Sequence, residues 1–371
     1  MKQVRSLRVF LGKIEGLPVA MVLLVLYIAF MITAPDVFLK YRIYMSFLQS
    51  VAPPLILGLG LTFVITAGEI DLSFPAVVAF AGYVFTWSFN TFSKSVDPSL
   101  AAGGGLLLAL AAGAMVGYIN GLLVAKVGVP SIMATLAAQF FWYGVTVLLA
   151  GGLQASLKTI DVNIVHETFT GRIYGVIPTQ GRARIGVPTQ ALWALALAVV
   201  LWLIMNRHKF GEAVMFIGDN PNVARVMGIN VEMTRIKLFT MMGVISAFAG
   251  VILTLEVRVF YPTQGQGMLL PVMAAVFIGG TSIAGGMGSI VGTFFGSYII
   301  GSLQAGVVAT GINGFWVQLV TGLVMGGSVV LNIVIGEGRI AVFSERLRRW
   351  GVSVGSRTTA EASMKEDVAS E

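Results

Sequence analysis

Apolar residues fill this chain in long blocks, and short polar segments punctuate them. A helix needs about 20 apolar residues to cross the hydrocarbon core of a bilayer. Ten stretches approach that length: 17–34, 46–67, 75–92, 100–125, 131–151, 190–206, 236–256, 270–283, 288–310 and 315–335. The pattern predicts an all-α polytopic membrane protein with about ten transmembrane helices. The stretch at 270–283 is short and interrupted by glycine, a feature of spans that line a path or re-enter the membrane. The run GGTSIAGGMG at 279–288 breaks the pattern between two late spans, and a comparable break falls at 66–75. The pair of breaks predicts two inverted five-helix halves.

The polar segments divide the rest. Residues 1–16 form a cytoplasmic N-terminus and 17–335 a transmembrane domain, with an outer loop at 152–189 and an inner loop at 207–235. Residues 336–371 form a cytoplasmic end: Arg339–Trp350 reads as a basic amphipathic segment on the inner leaflet, and the polar tail from Ser356 as disordered. In this topology sixteen of the 24 Lys and Arg lie on the side of the termini and eight opposite, which places both termini inside. The Leu17–Ala34 run exceeds a typical signal core of about 7–15 residues and reads as an uncleaved first span.

Composition narrows the function classes. The chain is 56% hydrophobic and 11% charged, against roughly 25% charged in soluble domains. That excludes a soluble enzyme and a disordered scaffold, and the lack of cysteine excludes a disulfide-built domain. The net charge of +7 comes without a basic run interleaved with aromatics, so nucleic acid is not the partner. No G-x-x-x-x-G-K-[ST], H-E-x-x-H, C-x-x-C or G-x-S-x-G occurs. His166 and His208 fall in loops on opposite faces. The reading is no catalytic residue, no metal and no cofactor in this chain; a nucleotide driving transport would act on a separate ATPase.

Within the spans a few residues stand out. Glu69 and Asp71 end an apolar run, where acids are costly and by default functional. Gly68 before them and Phe74-Pro75 after them suggest a broken helix. Asp71 and Ser73 then either cap the next span or line a path or gate. Asn120, Thr135 and Gln139 are neutral polar groups in apolar surroundings, suited to helix–helix hydrogen bonds or to contact with a polar solute. Glycines four apart at 117/121, 288/292/296 and 322/326 fit close helix packing. Pro-Thr-Gln recurs at 178–180, 188–190 and 262–264, each in an outer turn.

The inner loop contains GDNPNVARVMGINV, Gly218–Val231. Asn220 can cap a helix, Pro221 fits its first position, and Gly228 can stop it. Val223, Ala224, Val226 and Met227 give that helix an apolar side, and Arg225 a polar one. It either docks on a partner or lies on lipid.

GDNPNVARVMGINV resembles the cytoplasmic loop of ABC importer permeases of the ribose/xylose type, in the superfamily that includes branched-chain amino acid permeases. The resemblance continues through IKLFTMMGVISAFAGV (236–251), YPTQGQG (261–267) and PVMAAVFIGGTSIAGGMGSIVGTFFGSYIIG (271–301). ITAGEIDLS (65–73) and INGLLVAKVGVPSIMATLAAQF (119–140) extend it upstream. It implies the permease subunit of a sugar importer in a bacterial inner membrane, forming the path for a monosaccharide. It also implies an ATPase-coupling loop at Gly218, Asp219, Asn220, Pro221, Ala224, Arg225 and Gly228. The path or gate would involve Glu69, Asp71, Ser73, Asn120, Thr135 and Gln139. The implied partners are a cytoplasmic ABC ATPase that carries the ATP, a periplasmic sugar-binding protein, a second permease copy and the lipid bilayer. Gly68-Glu69 and Phe74-Pro75 depart from the family's Gly-Gly and Val-Gly. An ion-coupled carrier using Glu69 or Asp71, and an ABC permease for a nucleoside or a signalling sugar, remain the alternatives.

Overall fold

The computed structural model describes residues 15–157, 160, 164–174 and 186–311, and scattered positions from 313 to 327. Most of the expected span at 315–335, the segments from 336 onward, residues 1–14 and the Pro-Thr-Gln at 178–180 lie outside the described residues. Everything below concerns the unit that ends at Met325.

Hydrophobic blocks become helices, and proline, glycine and polar residues set their ends. α1 (Leu17–Thr33) leads through the short α2 (Pro35–Phe38) to α3 (Tyr41–Ser50) and α4 (Ala52–Thr66). The stretch expected as one span at 46–67 is thus two helices, bent by 49°. Pro53 and Pro54, in the first turn of α4, are the cause: they supply no N–H to continue the preceding helix. α5 (Phe74–Phe92) follows the expected break. α6 (Pro98–Leu122) starts on Asp97, whose Oδ1 accepts from Ser99 N at 2.8 Å, and ends in a π-helical turn, Leu123–Val127. α7 is Ser131–Ala150.

The outer segment is partly ordered. β1 (Ala155–Ser156) pairs antiparallel with β4 (Val259–Phe260), β2 (Arg172–Ile173) pairs with β3 (Val187–Pro188), and α8 (Ile164–Thr170) lies between them in sequence. α9 (Thr189–Arg207) returns to the other end. There the expected inner loop is mostly helical: α10 (Lys209–Asp219) and α11 (Pro221–Val226) precede α12 (Val231–Val257). α13 (Leu269–Ile278) stops at Gly279-Gly280, short of residue 283, and α14 (Ile290–Ala309) follows.

α12 is the hub of the bundle, packing against α4, α5 and, most extensively, α6. Gly113 and Gly117 let α6 approach within backbone contact: a Cβ on Gly117 would lie 2.2 Å from the Phe239 carbonyl oxygen. Among the described residues five helices are long and apolar enough to cross a membrane, and the bent α3–α4 pair would be a sixth. α5 is 19 residues long but carries Thr86, Ser88 and Asn90 in its second half. α1 and α13 are apolar but shorter. The chain is a polytopic, helical membrane protein.

Candidate functional site

The break between α4 and α5 leaves backbone N–H groups inside the protein, where each needs a partner. One face of α7 supplies them. Ser131 Oγ accepts from Ile70 N at 3.2 Å, Thr135 Oγ1 from Leu72 N at 3.0 Å, and Gln139 Oε1 from Ala76 N at 2.9 Å. These acceptors stand four residues apart, so they share a face of the helix. Gln139 therefore caps α5 from another helix. This corrects the expectation for Ser73, which occupies the N-cap position but makes no side-chain cap bond.

Asp71 and Ser73 fold onto each other instead. Asp71 Oδ1 accepts from Ser73 N at 2.7 Å and from Ser73 Oγ at 2.6 Å. Ser73 Oγ also accepts from Asn120 Nδ2 at 2.8 Å, which ties the break to α6. Asp71, Ser73, Asn120 and Thr135 are buried, and the Asn120 Oδ1 has no hydrogen-bond partner among the described residues. Glu69 turns the other way, placing Oε1 2.7 Å from Arg235 Nε at the start of α12. The approach is that of an ion pair; the Nε–H is not aimed along a hydrogen bond. Around this one break, then, stand all six residues expected at a path or gate. Their contacts are mostly with one another and with the backbone, so in this conformation they brace the break.

The second cluster sits on α10 and α11. Asn220 Oδ1 accepts from Asn222 N at 2.9 Å and Val223 N at 3.2 Å, and Pro221 follows at the first helical position. At the other end Gly228 takes φ 85°, while Gly228 N donates to Arg225 O and Ile229 N to Ala224 O, both at 3.0 Å. That double bond pattern closes a helix where the chain passes through the left-handed region. Ala224 is fully buried and seats the helix on Ile217, Ile229 and Val231. The expected apolar side is therefore divided: Ala224 faces inward, while Val223, Val226 and Met227 are exposed, Val226 by 90%. Arg225 Nη2 pairs with Glu232 Oε1 at 2.8 Å, and Nη1 donates to Asn222 Oδ1 at 3.3 Å. The Arg225 hydrogen bond holds the Glu232 carboxyl below its usual value. Six residues held at both ends make a stiff knob with an apolar tip.

At the opposite end of α12 a polar cluster escaped sequence reasoning. Gln49 Nε2 donates to Glu256 Oε1 at 2.9 Å, Gln190 Nε2 to Gln49 O at 2.6 Å, and Arg172 reaches the Gln49 side-chain oxygen. Gln190 and Gln264, from two of the Pro-Thr-Gln repeats, are both 1% exposed; Gln264 Nε2 donates to Val78 O at 3.1 Å. At these two sites the tripeptide marks a buried glutamine; 262–264 is a turn, as expected, whereas 188–190 runs from β3 straight into α9. The repeated tripeptide was the available signal, but the partners of its glutamines lie up to 186 residues away. Among the described residues no group of three His, Asp or Glu is placed to hold a metal.

A family model described as the permease component of the branched-chain amino acid transport system matches residues 43–329. The ribose import permease of Bacillus subtilis is 33% identical over 323 residues, covering 87% of this chain and 94% of that one. The fructose import permease of Rhizobium meliloti is 32% identical over 279 residues, 75% and 74% of the two chains. A probable ABC transporter permease of Escherichia coli is 31% identical over 333 residues, 90% and 94%.

Proposed function

From the premise that this chain belongs to the permease-component family of the branched-chain amino acid transport systems, we propose that it is the membrane-spanning subunit of an ATP-binding-cassette sugar importer. Its relatives named for ribose and fructose import carry the substrate class. The single observation that carries the mechanism is the braced α11. Capped by Asn220 and Gly228 and seated by Ala224, it presents Val223, Val226 and Met227 outward. A stiff, apolar-tipped helix at one end of a membrane bundle suits docking into a groove on a separate ATPase, which would bind and hydrolyse the ATP.

In this reading α10, α11 and both termini are cytoplasmic, in a bacterial inner membrane. The full set of ten spans forms two inverted halves, two permease copies enclose the path, and a periplasmic binding protein delivers a monosaccharide to the opposite end. An ion-coupled carrier is the competing mechanism. Glu69 paired with Arg235, and Asp71 held by Ser73, speak against it, since a coupling carboxylate must be free to exchange its ion.

The test is reconstitution of the chain in liposomes with and without its ATPase and a ribose-loaded binding protein. Labelled ribose should accumulate only with ATP and all components. Val226→Asp should abolish co-purification of the ATPase while leaving the permease folded. Gradient-driven uptake by the chain alone would overturn the proposal.

A further inference from the structure

The two glycine-rich breaks lie some 210 residues apart in sequence, yet they meet at one point, and α10 ends on that point. Thr66 O, the last carbonyl of α4, accepts from Gly286 N at 2.9 Å. Carbonyls at a helix C-terminus have no partner within their own helix, and this one finds it in the second break. Gly218, in the last turn of α10, lies directly against that hydrogen bond. A Cβ built there would fall 1.8 Å from Thr66 O and 2.5 Å from Gly286 N. A Cβ on Gly285 would come within 2.8 Å of Gly218 O and 3.0 Å of Gly68 N, and one on Gly288 within 1.9 Å of Thr66 Oγ1. One turn back, Thr62 and Thr293 hydroxyls share a 2.7 Å hydrogen bond that joins α4 to α14.

Apart from the threonine hydroxyls, these are backbone-to-backbone contacts between three separate segments, with no long side chain to swing aside and absorb a displacement. A push on α11 passes through Asn220 to Asp219 and Gly218, and there meets both breaks together.

We propose that Gly218 is a positioning residue that couples α10–α11 to both breaks at once, so that 66–73 and 279–288 move as one inner gate. The inference rests on the permease reading above and assigns α11's displacement a route into the bundle.

Because the chain contains no cysteine, single thiols report cleanly. Ile70→Cys marks the first break and Ile283→Cys, at a position 61% exposed, the second. With ATPase and binding protein in nanodiscs, a non-hydrolysable ATP analogue should change maleimide reactivity severalfold at both sites. Gly218→Ala should remove both changes and lower ribose uptake at least tenfold, while the ATPase still co-purifies. Wild-type uptake by Gly218→Ala would overturn the proposal, as would reactivity that changes at only one break in the otherwise unaltered chain.

A second measurement does not depend on how that variant folds. A Cβ on Gly286 would lie 3.4 Å from the Asp219 Cβ, close to the roughly 3.5–4.5 Å of a disulfide. Asp219→Cys with Gly286→Cys should cross-link under oxidation, stop uptake, and recover it on reduction. A pair that cross-links without affecting uptake, or fails to cross-link, would overturn the junction. If the unaltered chain neither binds an ATPase nor needs ATP, the importer reading itself has failed, a separate result from a Gly218 variant that works normally.

Discussion

Replacing Arg235 by alanine strips Glu69 of the guanidinium nitrogen 2.7 Å away, while the Glu69 side chain stays 8% exposed. Removing one partner of a buried ion pair costs about 3–5 kcal/mol, because the remaining charge keeps its desolvation penalty. The Arg235 side chain is itself 23% exposed, so water enters the vacated space and the loss falls to about 2–3 kcal/mol. One kcal/mol moves the midpoint by roughly 2–4 °C in domains of 150–250 residues and less in a larger chain, which gives a drop of about 5 °C. Adding Glu69→Gln removes the stranded charge and should restore most of that. The assay is a double-mutant cycle: thermal unfolding of wild type, both single variants and the double in one detergent at one salt concentration. The double variant should melt above Arg235→Ala, with a coupling of about 2 kcal/mol. Additive losses would refute the pairing argument. The same four proteins address transport: the double variant should import sugar, whereas an ion-coupling Glu69 would leave every Glu69→Gln protein inactive.

Gly117→Ala puts a methyl 2.2 Å from the Phe239 carbonyl oxygen, so α6 and α12 must separate; a stability loss of about 1–3 kcal/mol should appear as a lower midpoint. Gln139→Ala removes one of the two acceptors of the Ala76 N–H, which also donates to Ser73 O at 3.0 Å, so the loss should be about 0.5–1.5 kcal/mol, while Gln139→Glu keeps an acceptor there and should melt closer to wild type. Asp71→Asn retains an oxygen for Ser73 N and Ser73 Oγ and should transport normally; lost uptake with a normal midpoint would show that the charge itself is needed. Glu232 has a folded-state value lowered from 4.5, chiefly by the hydrogen bond from Arg225. Its pairing should therefore contribute fully above about pH 4.5 and fade only as pH falls through the lowered value. Midpoints of wild type and Glu232→Gln, compared from neutral pH downward, should differ by a constant amount down to about pH 4.5 and converge below it.

What was legible in the sequence is what depends on local order. Block hydrophobicity and scarce charge specify a helical membrane protein, since only helices and closed barrels satisfy the backbone in lipid and apolar blocks of about 20 residues fit helices rather than short alternating strands. Asn220, Pro221 and Gly228 specify both ends of α11, because capping involves residues only a few positions apart. The breaks near 68 and 279–288 were readable from glycine and proline for the same reason. Side-chain chemistry fixed by distant partners was not. Gln139 stands out in sequence as an amide in an apolar run, but only the fold shows its partner, placing its oxygen 2.9 Å from Ala76 N. Glu69 gives no sign in sequence of Arg235, Gln49 none of Glu256. Gly218 looks like any helix-ending glycine, and only the packing of α10 against two breaks shows that a methyl there has no room. Hydrogen bonds and steric exclusion act over a few ångströms of space, and in a bundle most of those ångströms join residues the chain keeps far apart.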